Sequence, residues 1–366
     1  MKYPEPLLRP KMPELDSLRG IAILSVVFYH GFFWSNNLVG LSSLARRFVA
    51  LTSYGWLGVH LFFVLSGFLI TGLLEDSKAA PQFFKRFYWR RALRILPAFY
   101  GTLLLLFFIP GQNLSYLLLS FFYLSNLAPL FHVRNTYPMF WSLAAEEHFY
   151  LVWPLLVRFL SRRALLFFAS LLFLISPILR ALSFHDPLPV GFGGFTWHVA
   201  DGFAGGAILA LLIRDHWCSR KKLAVLCASA LAISSAFLLV CAHQDTLTRT
   251  KFTGAVFMLT ATHLLFTACL GLLLLFGTSK WKNFVNCKLL SFYGDISYGL
   301  YLIHWIVFMC YDAVTRAYVP ECAQFLGNIR LLSLRFLLVA AGATLAAWIS
   351  RRFFEEKFLR LKTLFP

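Results

Sequence analysis

The chain has 366 residues, of which 59% are hydrophobic and only 14% are charged, and its mean hydropathy is +0.69. Because soluble domains contain about 25% charged residues, this composition excludes soluble, disordered, fibrous and disulfide-scaffold proteins. The net charge of +18 does not indicate nucleic-acid binding, since basic residues of membrane proteins collect in cytoplasmic loops and meet anionic lipid.

Long apolar runs such as 97–109 and 222–241 set the fold class. An outer-membrane barrel would show short alternating strands instead, so we predict an all-α, polytopic membrane helical bundle. A helix needs roughly 17–25 residues to cross the hydrocarbon core, and about ten segments meet this requirement. The predicted spans are 17–34, 55–74, 96–110, 139–159, 164–183, 198–213, 223–241, 254–276, 289–311 and 331–353.

The distribution of Lys and Arg predicts the orientation of these spans. If the N-terminus is cytoplasmic and the helices alternate, most basic residues fall in cytoplasmic segments such as 85–94, 158–163, 214–222 and 351–362, as the positive-inside rule requires. The C-terminus is then cytoplasmic as well. Treating 114–130 as a full span would put 158–163 outside, so we predict that this stretch is re-entrant or lies at the membrane surface.

The chain shows no internal repeat, no low-complexity linker and no cleavage pattern after the polar segment Met1–Asp16. We therefore predict one membrane domain over residues 1–366, with an uncleaved first helix. Its location is the inner or plasma membrane, where it contacts membrane lipids.

The first predicted helix carries two ionisable residues, Arg19 and His30. Eleven steps at 3.6 residues per turn return to nearly the same face, about 16 Å further along the helix. Ionisable groups at membrane depth are costly and are functional candidates by default, so the pair is predicted to line one cleft. The alternative is that Arg19 is a topological anchor and His30 a surface residue near the helix end.

The predicted cytoplasmic segment 83–96 interleaves basic and aromatic residues. Arg91 and Arg94 are neighbours on a helical face, Arg90 is adjacent, and guanidinium groups suit phosphates. A phosphorylated cytoplasmic ligand and an amphipathic helix lying on anionic lipid both fit this composition.

Further polar residues interrupt later apolar helices. Ser142 and Glu146 are four apart on one helical face, Asp201 lies at helical spacing from His198, and Ser297 and His304 are seven apart, two turns along one face. Helix capping and hydrogen bonding in the core are the alternative roles. The sequence contains no zinc-type His pair, no Gly-rich phosphate loop and no nucleophile elbow, so no metal cofactor is expected. The candidate residues beyond the first helix and the basic segment are Ser142, Glu146, Asp201, Ser297 and His304.

Seven segments carry a family resemblance when they are taken in order. The chain resembles the acyltransferase-3 family of membrane acyltransferases, of the O-antigen and peptidoglycan O-acetylase type, from about residue 14 to 361. The matching segments are LDSLRGIAILSVVFYH, GWLGVHLFFVLSGFLIT, RRALRILP, FWSLAAEEHFYLVWPLL, DGFAGGAILA, DISYGLYLIHW and RRFFEEKFLRLK.

The resemblance implies about ten transmembrane helices and the transfer of an acyl group, usually acetyl, from cytoplasmic acyl-CoA to a carbohydrate hydroxyl on the other side. The family's essential Arg and His match Arg19 and His30, its arginine pair matches Arg91 and Arg94, and its Ser and Glu match Ser142 and Glu146. Some members carry an appended extracytoplasmic esterase-like domain. We expect none here.

These observations combine in one expected mechanism. The phosphates of acyl-CoA, or acetyl-CoA, bind near Arg90, Arg91 and Arg94, and the flexible arm of the donor reaches His30 past Arg19. His30 acts as general base and Glu146 orients its ring, although a covalent acyl-imidazole remains an alternative. The expected partners are the acyl donor and a carbohydrate or lipid-linked glycan, with no nucleic acid. The acceptor stays open among O-antigen, peptidoglycan, glucan and macrolide. The rival function is a transporter of a small anion or lipid-linked glycan.

Overall fold

The structure of the protein is a computed structural model, and within the residues it describes all regular structure is helical. Residues 1–11 of the predicted polar N-terminal segment lie outside them. The described residues are 12–35, 40–184, 194–215, 218–248, 250–276, 287–324 and 327–364.

The helices follow one another with short connections. The α-helices are α1 (Pro13–Phe28), α2 (Ser43–Thr52), α3 (Leu57–Asp76), α4 (Phe83–Phe107), α5 (Leu114–Phe121), α6 (Phe140–Phe159), α7 (Arg162–Leu182), α8 (Thr196–Ile213), α9 (Arg220–His243), α10 (Phe252–Phe276), α11 (Lys288–Asp295), α12 (Ser297–Tyr318), α13 (Pro320–Ala323), α14 (Ile329–Ile349) and α15 (Glu356–Arg360). The π-helical turns are Tyr29–Phe33 and Ser350–Glu355, and the 3-10 turns are Ser53–Trp56, Ser125–Phe131 and Leu361–Leu364.

Every predicted span overlaps a helix or a pair of consecutive helices, although 96–110 corresponds only to the second half of α4, which begins at Phe83. Within the described residues, six helices are long and apolar enough to cross a membrane, or seven if α11 and α12, which are bent by 76°, form one span. Large apolar side chains are exposed on the predicted spans, as at Leu104 and Phe107 of α4, where lipid would cover them. The helices thus indicate a multi-pass membrane protein, while the count of about ten spans and the location of the termini stay predictions.

The stretch 114–130 does not form a full span. It folds as α5, which has eight residues, and a separate 3-10 turn. The Asn113 side chain caps α5 by accepting a hydrogen bond from the Tyr116 amide at 3.3 Å. A helix this short covers about 12 Å, so the two alternatives of a re-entrant and a surface-lying segment both remain.

The described chain clusters into two compact units, each discontinuous in sequence. Unit 1 is drawn from residues 1–14, 60–85 and 109–285, and unit 2 from 15–59, 86–108 and 286–366. Unit 1 therefore contains most of α3 together with α5 to α10. Unit 2 contains most of α1, α2, most of α4 and α11 to α15.

Ion pairs mark one end of unit 1. Arg162 contacts Glu75 at 3.0 Å, and Arg214 contacts Asp76 at 2.6 Å. The acidic residues end α3, Arg162 begins α7 and Arg214 follows α8. Both arginines belong to segments that the sequence predicts to be cytoplasmic. The three segments meet at one end of the unit, as alternating helices require.

Glycines let α3 and α8 approach closely in unit 1. A Cβ at Gly67 would lie 2.0 Å from the Phe203 carbonyl oxygen, and a Cβ at Gly206 would lie 2.0 Å from the Val64 carbonyl oxygen. Both neighbours are backbone atoms, which cannot rotate away. Small residues commonly allow this kind of contact between membrane helices.

We expect Gly206→Ala to lower the free energy of unfolding of the detergent-solubilised protein by about 1–3 kcal/mol, and with it the melting midpoint, because the added methyl overpacks a backbone contact. Fluorescence-detected size-exclusion chromatography after heating measures the effect. Gly342→Ala is the matched control, since its Cβ would find nothing closer than 3.6 Å. Equal melting midpoints for the two variants would contradict the close approach.

Candidate active site

Arg19 of α1 and His30, which follows α1, both lie in unit 2 but have different surroundings. Arg19 is partly exposed and forms an ion pair with Asp16 at 2.8 Å. His30 is buried and lies in the π-helical turn that continues α1. The sequence placed both residues in the predicted span 17–34, and their lining of one cleft stays a prediction. The turn was not predicted, because a π turn depends on packing around it rather than on a local pattern.

His30 is held by a second imidazole. His30 Nδ1 lies 3.2 Å from His304 Nε2, and His304 Nδ1 lies 2.9 Å from the Leu300 carbonyl oxygen. A carbonyl can only accept, so His304 Nδ1 carries a proton. With both rings neutral, His304 Nε2 accepts a hydrogen bond from His30 Nδ1–H, and the lone pair of His30 is on Nε2. A lone pair in this position suits a base or a nucleophile.

Aromatic rings surround the His30 imidazole. Its centroid lies 5.2 Å from that of Trp305 and 6.1 Å from that of Trp34, and both rings meet it edge-on. Gly31 makes room for Phe336, whose ring would lie 2.4 Å from a Cβ at this position. The ring of His30 is therefore confined by packing as well as by hydrogen bonding.

The predicted arginine group meets the C-terminal segment within unit 2. The Trp89 indole N–H donates to the Leu361 carbonyl oxygen at 3.3 Å, which fastens the last 3-10 turn to α4. Burial lowers the pKa of the Lys362 ammonium, and the nearby guanidinium groups lower it further; these belong to Arg94, Arg351, Arg90 and Arg91. Like charges gathered in this way are stabilised by a bound anion.

Sequence analysis assigned Arg90, Arg91 and Arg94 to this site but missed Lys362 and Arg351. The two lie more than 250 residues further along the chain, in the closing basic segment. Their charge was visible in the sequence, but nothing in a local pattern pairs them with α4.

Ser297 is placed at the bend between α11 and α12. Its hydroxyl donates to the Gly294 carbonyl oxygen at 2.8 Å and is buried. In the same region the Tyr298 hydroxyl donates to the Ile95 carbonyl oxygen of α4 at 3.0 Å. These described contacts hold the backbone of unit 2 together.

Glu146 and Ser142 lie on α6, in unit 1. The Glu146 carboxylate accepts hydrogen bonds from the hydroxyls of Ser66 and Tyr150, which lie 3.1 Å from each other. The Ser142 hydroxyl is buried and donates to the Met139 carbonyl oxygen at 3.3 Å. The described partner of the His30 ring is His304, and the role of Glu146 in orienting that ring stays a prediction.

Asp201 is the centre of a buried network in unit 1. Arg180 contacts both carboxylate oxygens, at 2.9 and 3.3 Å, and Thr260 donates to the carboxylate at 2.7 Å. His263 Nδ1 lies 3.0 Å from the same carboxylate, and His263 Nε2 lies 2.9 Å from His60 Nδ1. Sequence analysis selected Asp201 but missed its partners, although charged residues within apolar helices were a signal for them.

These side chains form a line of contacts rather than a cage. Among the residues that the structure describes, no three His, Cys, Asp or Glu side chains are grouped as metal ligands. The arrangement is suited to moving or holding a proton.

We expect Asp201→Leu to destabilise the protein by about 3–5 kcal/mol, because Arg180 is then buried without its counter-charge. Thermal melting in detergent measures the loss. The double variant Asp201→Leu/Arg180→Met removes both charges and should recover most of the stability. A double variant as unstable as the single one would argue against the ion pair.

The chain is similar to a known protein family and to several known proteins. A family model described as an acyltransferase domain matches residues 12–352. The chain is 30% identical to peptidoglycan O-acetyltransferase OatA of Listeria monocytogenes, over 90% of this chain and 55% of that protein. It is 29% identical to the putative peptidoglycan O-acetyltransferase YrhL of Bacillus subtilis, over 81% and 48%.

A third relative is the putative acetyltransferase ORF330 of Acidianus two-tailed virus, which is 28% identical over 81% of this chain and 83% of that protein. The chain thus spans about half the length of the bacterial relatives and most of the viral one. No solved structure matches the chain.

Proposed function

The chain belongs to the acyltransferase-3 family, whose model covers residues 12–352, and from this premise we propose that it is a membrane O-acyltransferase. It moves an acyl group, which we take to be acetyl, from acyl-CoA to a carbohydrate hydroxyl. The names of the bacterial relatives, peptidoglycan O-acetyltransferases, support the acetyl group and the carbohydrate. The family also favours this function over the transporter that buried Arg and His residues alone would allow.

The hydrogen-bonded pair of His30 and His304 is the observation that carries the proposal. The acceptor hydroxyl gives its proton to His30 Nε2, and its oxygen forms a bond to the thioester carbonyl carbon. The carbon–sulfur bond breaks, and the leaving thiolate takes the proton from the imidazolium. Throughout, His30 Nδ1–H continues to donate to His304 Nε2, whose 3.2 Å contact fixes the ring, so the base is oriented before the acceptor arrives.

The donor binds at the cationic group of unit 2. Acyl-CoA carries phosphates, and Arg90, Arg91, Arg94, Arg351 and Lys362 gather positive charge around one place. Phosphates make strong charge-assisted hydrogen bonds with guanidinium groups. By the positive-inside rule this group faces the cytoplasm, where acyl-CoA would be supplied.

Arg19 and His30 then mark the path of the acyl arm along α1. Their separation of about 16 Å is comparable to the length of the flexible arm of the donor. The acceptor approaches from the opposite, extracytoplasmic side as a free or lipid-linked glycan. We take peptidoglycan as the first acceptor to test, because it appears in the names of the bacterial relatives.

We expect His30→Ala to lower acetyl transfer at least about 100-fold, the contribution of a positioned general base. The measurement is transfer of labelled acetyl from acetyl-CoA to glycan fragments in membranes that contain the protein. His243→Ala, at an exposed position near the end of α9, is the control and should be as active as wild type. Full activity of His30→Ala at normal expression would remove His30 as the base.

We expect Lys362→Met to raise the KM for acetyl-CoA about tenfold, which corresponds to ~1.4 kcal/mol, with little change in kcat. The reason is the loss of one positive charge at the phosphates of the donor. Arg352→Gln is the matched control, because Arg352 is exposed and pairs with Glu356 at 3.2 Å.

Acetyl-pantetheine, which lacks the phosphates, provides a second comparison. The Lys362→Met enzyme and the wild type should use it equally well. An unchanged KM for acetyl-CoA, or an equal loss with both donors, contradicts phosphate binding at this group.

A further inference from the structure

Three residues on one face of α12 connect to His30 by two separate routes. His304, Phe308 and Asp312 are each four residues apart, so they lie on the same face of the helix. His304 contacts the His30 imidazole at 3.2 Å. Phe308 and Asp312 contact Arg335 of α14, which belongs to the same unit.

Arg335 is fixed from several sides. Its guanidinium makes two hydrogen bonds with the Asp312 carboxylate, both 2.7 Å long. The same group lies over the Phe308 ring, 4.5 Å from its centroid. Only 2% of Arg335 is exposed, so the bidentate pair operates where water hardly screens it.

Arg335 connects to the backbone of His30 through one hydroxyl. Its Nη1 donates to Ser35 Oγ at 3.1 Å, and Ser35 Oγ donates to the His30 carbonyl oxygen at 2.7 Å. This carbonyl lies in the π-helical turn Tyr29–Phe33, where the α-helical ladder is interrupted and a backbone group needs another partner.

We propose that Asp312, Arg335 and Ser35 are positioning residues that hold the main chain of His30 while His304 holds its ring. The inference rests on the proposed role of His30 as the base. An imidazole has two rotatable bonds to its backbone, so fixing the ring alone leaves the Nε2 atom free to move with the turn. Contacts at the ring and at the carbonyl together define where Nε2 lies.

The alternative is a purely structural role, in which Asp312 and Arg335 only stabilise the fold. A buried ion pair is weak support for stability, since replacing both partners with apolar residues is often neutral. The two roles therefore predict different behaviour in a variant that lacks both charges. Stability returns in either case, whereas activity returns only if the pair is merely structural.

The decisive variant is Asp312→Leu/Arg335→Met. We expect its melting temperature in detergent to lie near that of wild type. Its kcat should fall about tenfold or more, while the KM for acetyl-CoA changes by less than about twofold. The reason is that a misplaced base slows the chemical step without affecting the binding of the donor phosphates. Wild-type kcat in this stable double variant overturns the proposal.

Ser35 provides a smaller perturbation for the case in which the double variant fails to fold. Ser35→Ala removes the link but leaves the ion pair, and we expect it to lower kcat several-fold. Ser35→Thr keeps the hydroxyl and should restore most of the rate. Equal rates for the Ala and Thr variants contradict the link.

A readout without catalysis separates this inference from the proposed function. Diethyl pyrocarbonate modifies imidazole nitrogen, and peptide mass spectrometry reports the rate at His30 alone. We expect that rate to change at least about twofold in Ser35→Ala and to return in Ser35→Thr. If His30→Ala proves active, the proposed role of His30 as the base fails, yet the modification rates still decide whether Ser35 and Arg335 hold His30.

Discussion

The hydrogen bond between His30 and His304 is the contact on which the chemistry of this protein depends. In an apolar interior a polar group finds no water and must be paired within the protein. The Leu300 carbonyl determines where His304 carries its proton, and His304 determines where His30 carries its own. One backbone oxygen thereby selects the nitrogen of His30 that can receive a proton.

Apolar periodicity and length were sufficient to predict the helices, because a membrane span must be long and hydrophobic whatever its neighbours are. They were not sufficient for the π-helical turn at His30 or for the bend of 76° between α11 and α12, which arise from packing. Candidate residues were found where charge interrupts an apolar run, as at Arg19 and Asp201. His263, which contacts Asp201, and Lys362, which lies near Arg94, are far from those residues in sequence, and no local pattern indicates either pair.

Among the described residues, each unit contains one pair of contacting histidines, and the groups that contact the second ring of each pair differ. The group that contacts His304 Nδ1 is the neutral backbone carbonyl of Leu300. Behind His263 stands the carboxylate of Asp201, at 3.0 Å, whose charge is already balanced by Arg180. The negative charge of this carboxylate faces His263, whereas His304 faces only the dipole of a carbonyl. The two histidine pairs therefore lie in different electrostatic surroundings.

Electrical neutrality explains why both solutions suit a membrane protein. An isolated charge in a medium of low dielectric constant is expensive, so an unpaired carboxylate beside His304 would destabilise the protein. The carbonyl avoids this cost, and in unit 1 Arg180 offsets it. The neutral pair of His30 and His304 can take up a single proton and become singly positive. For His30 this change is one step of the proposed acyl transfer, so a neutral surrounding keeps the base unprotonated until a hydroxyl supplies the proton.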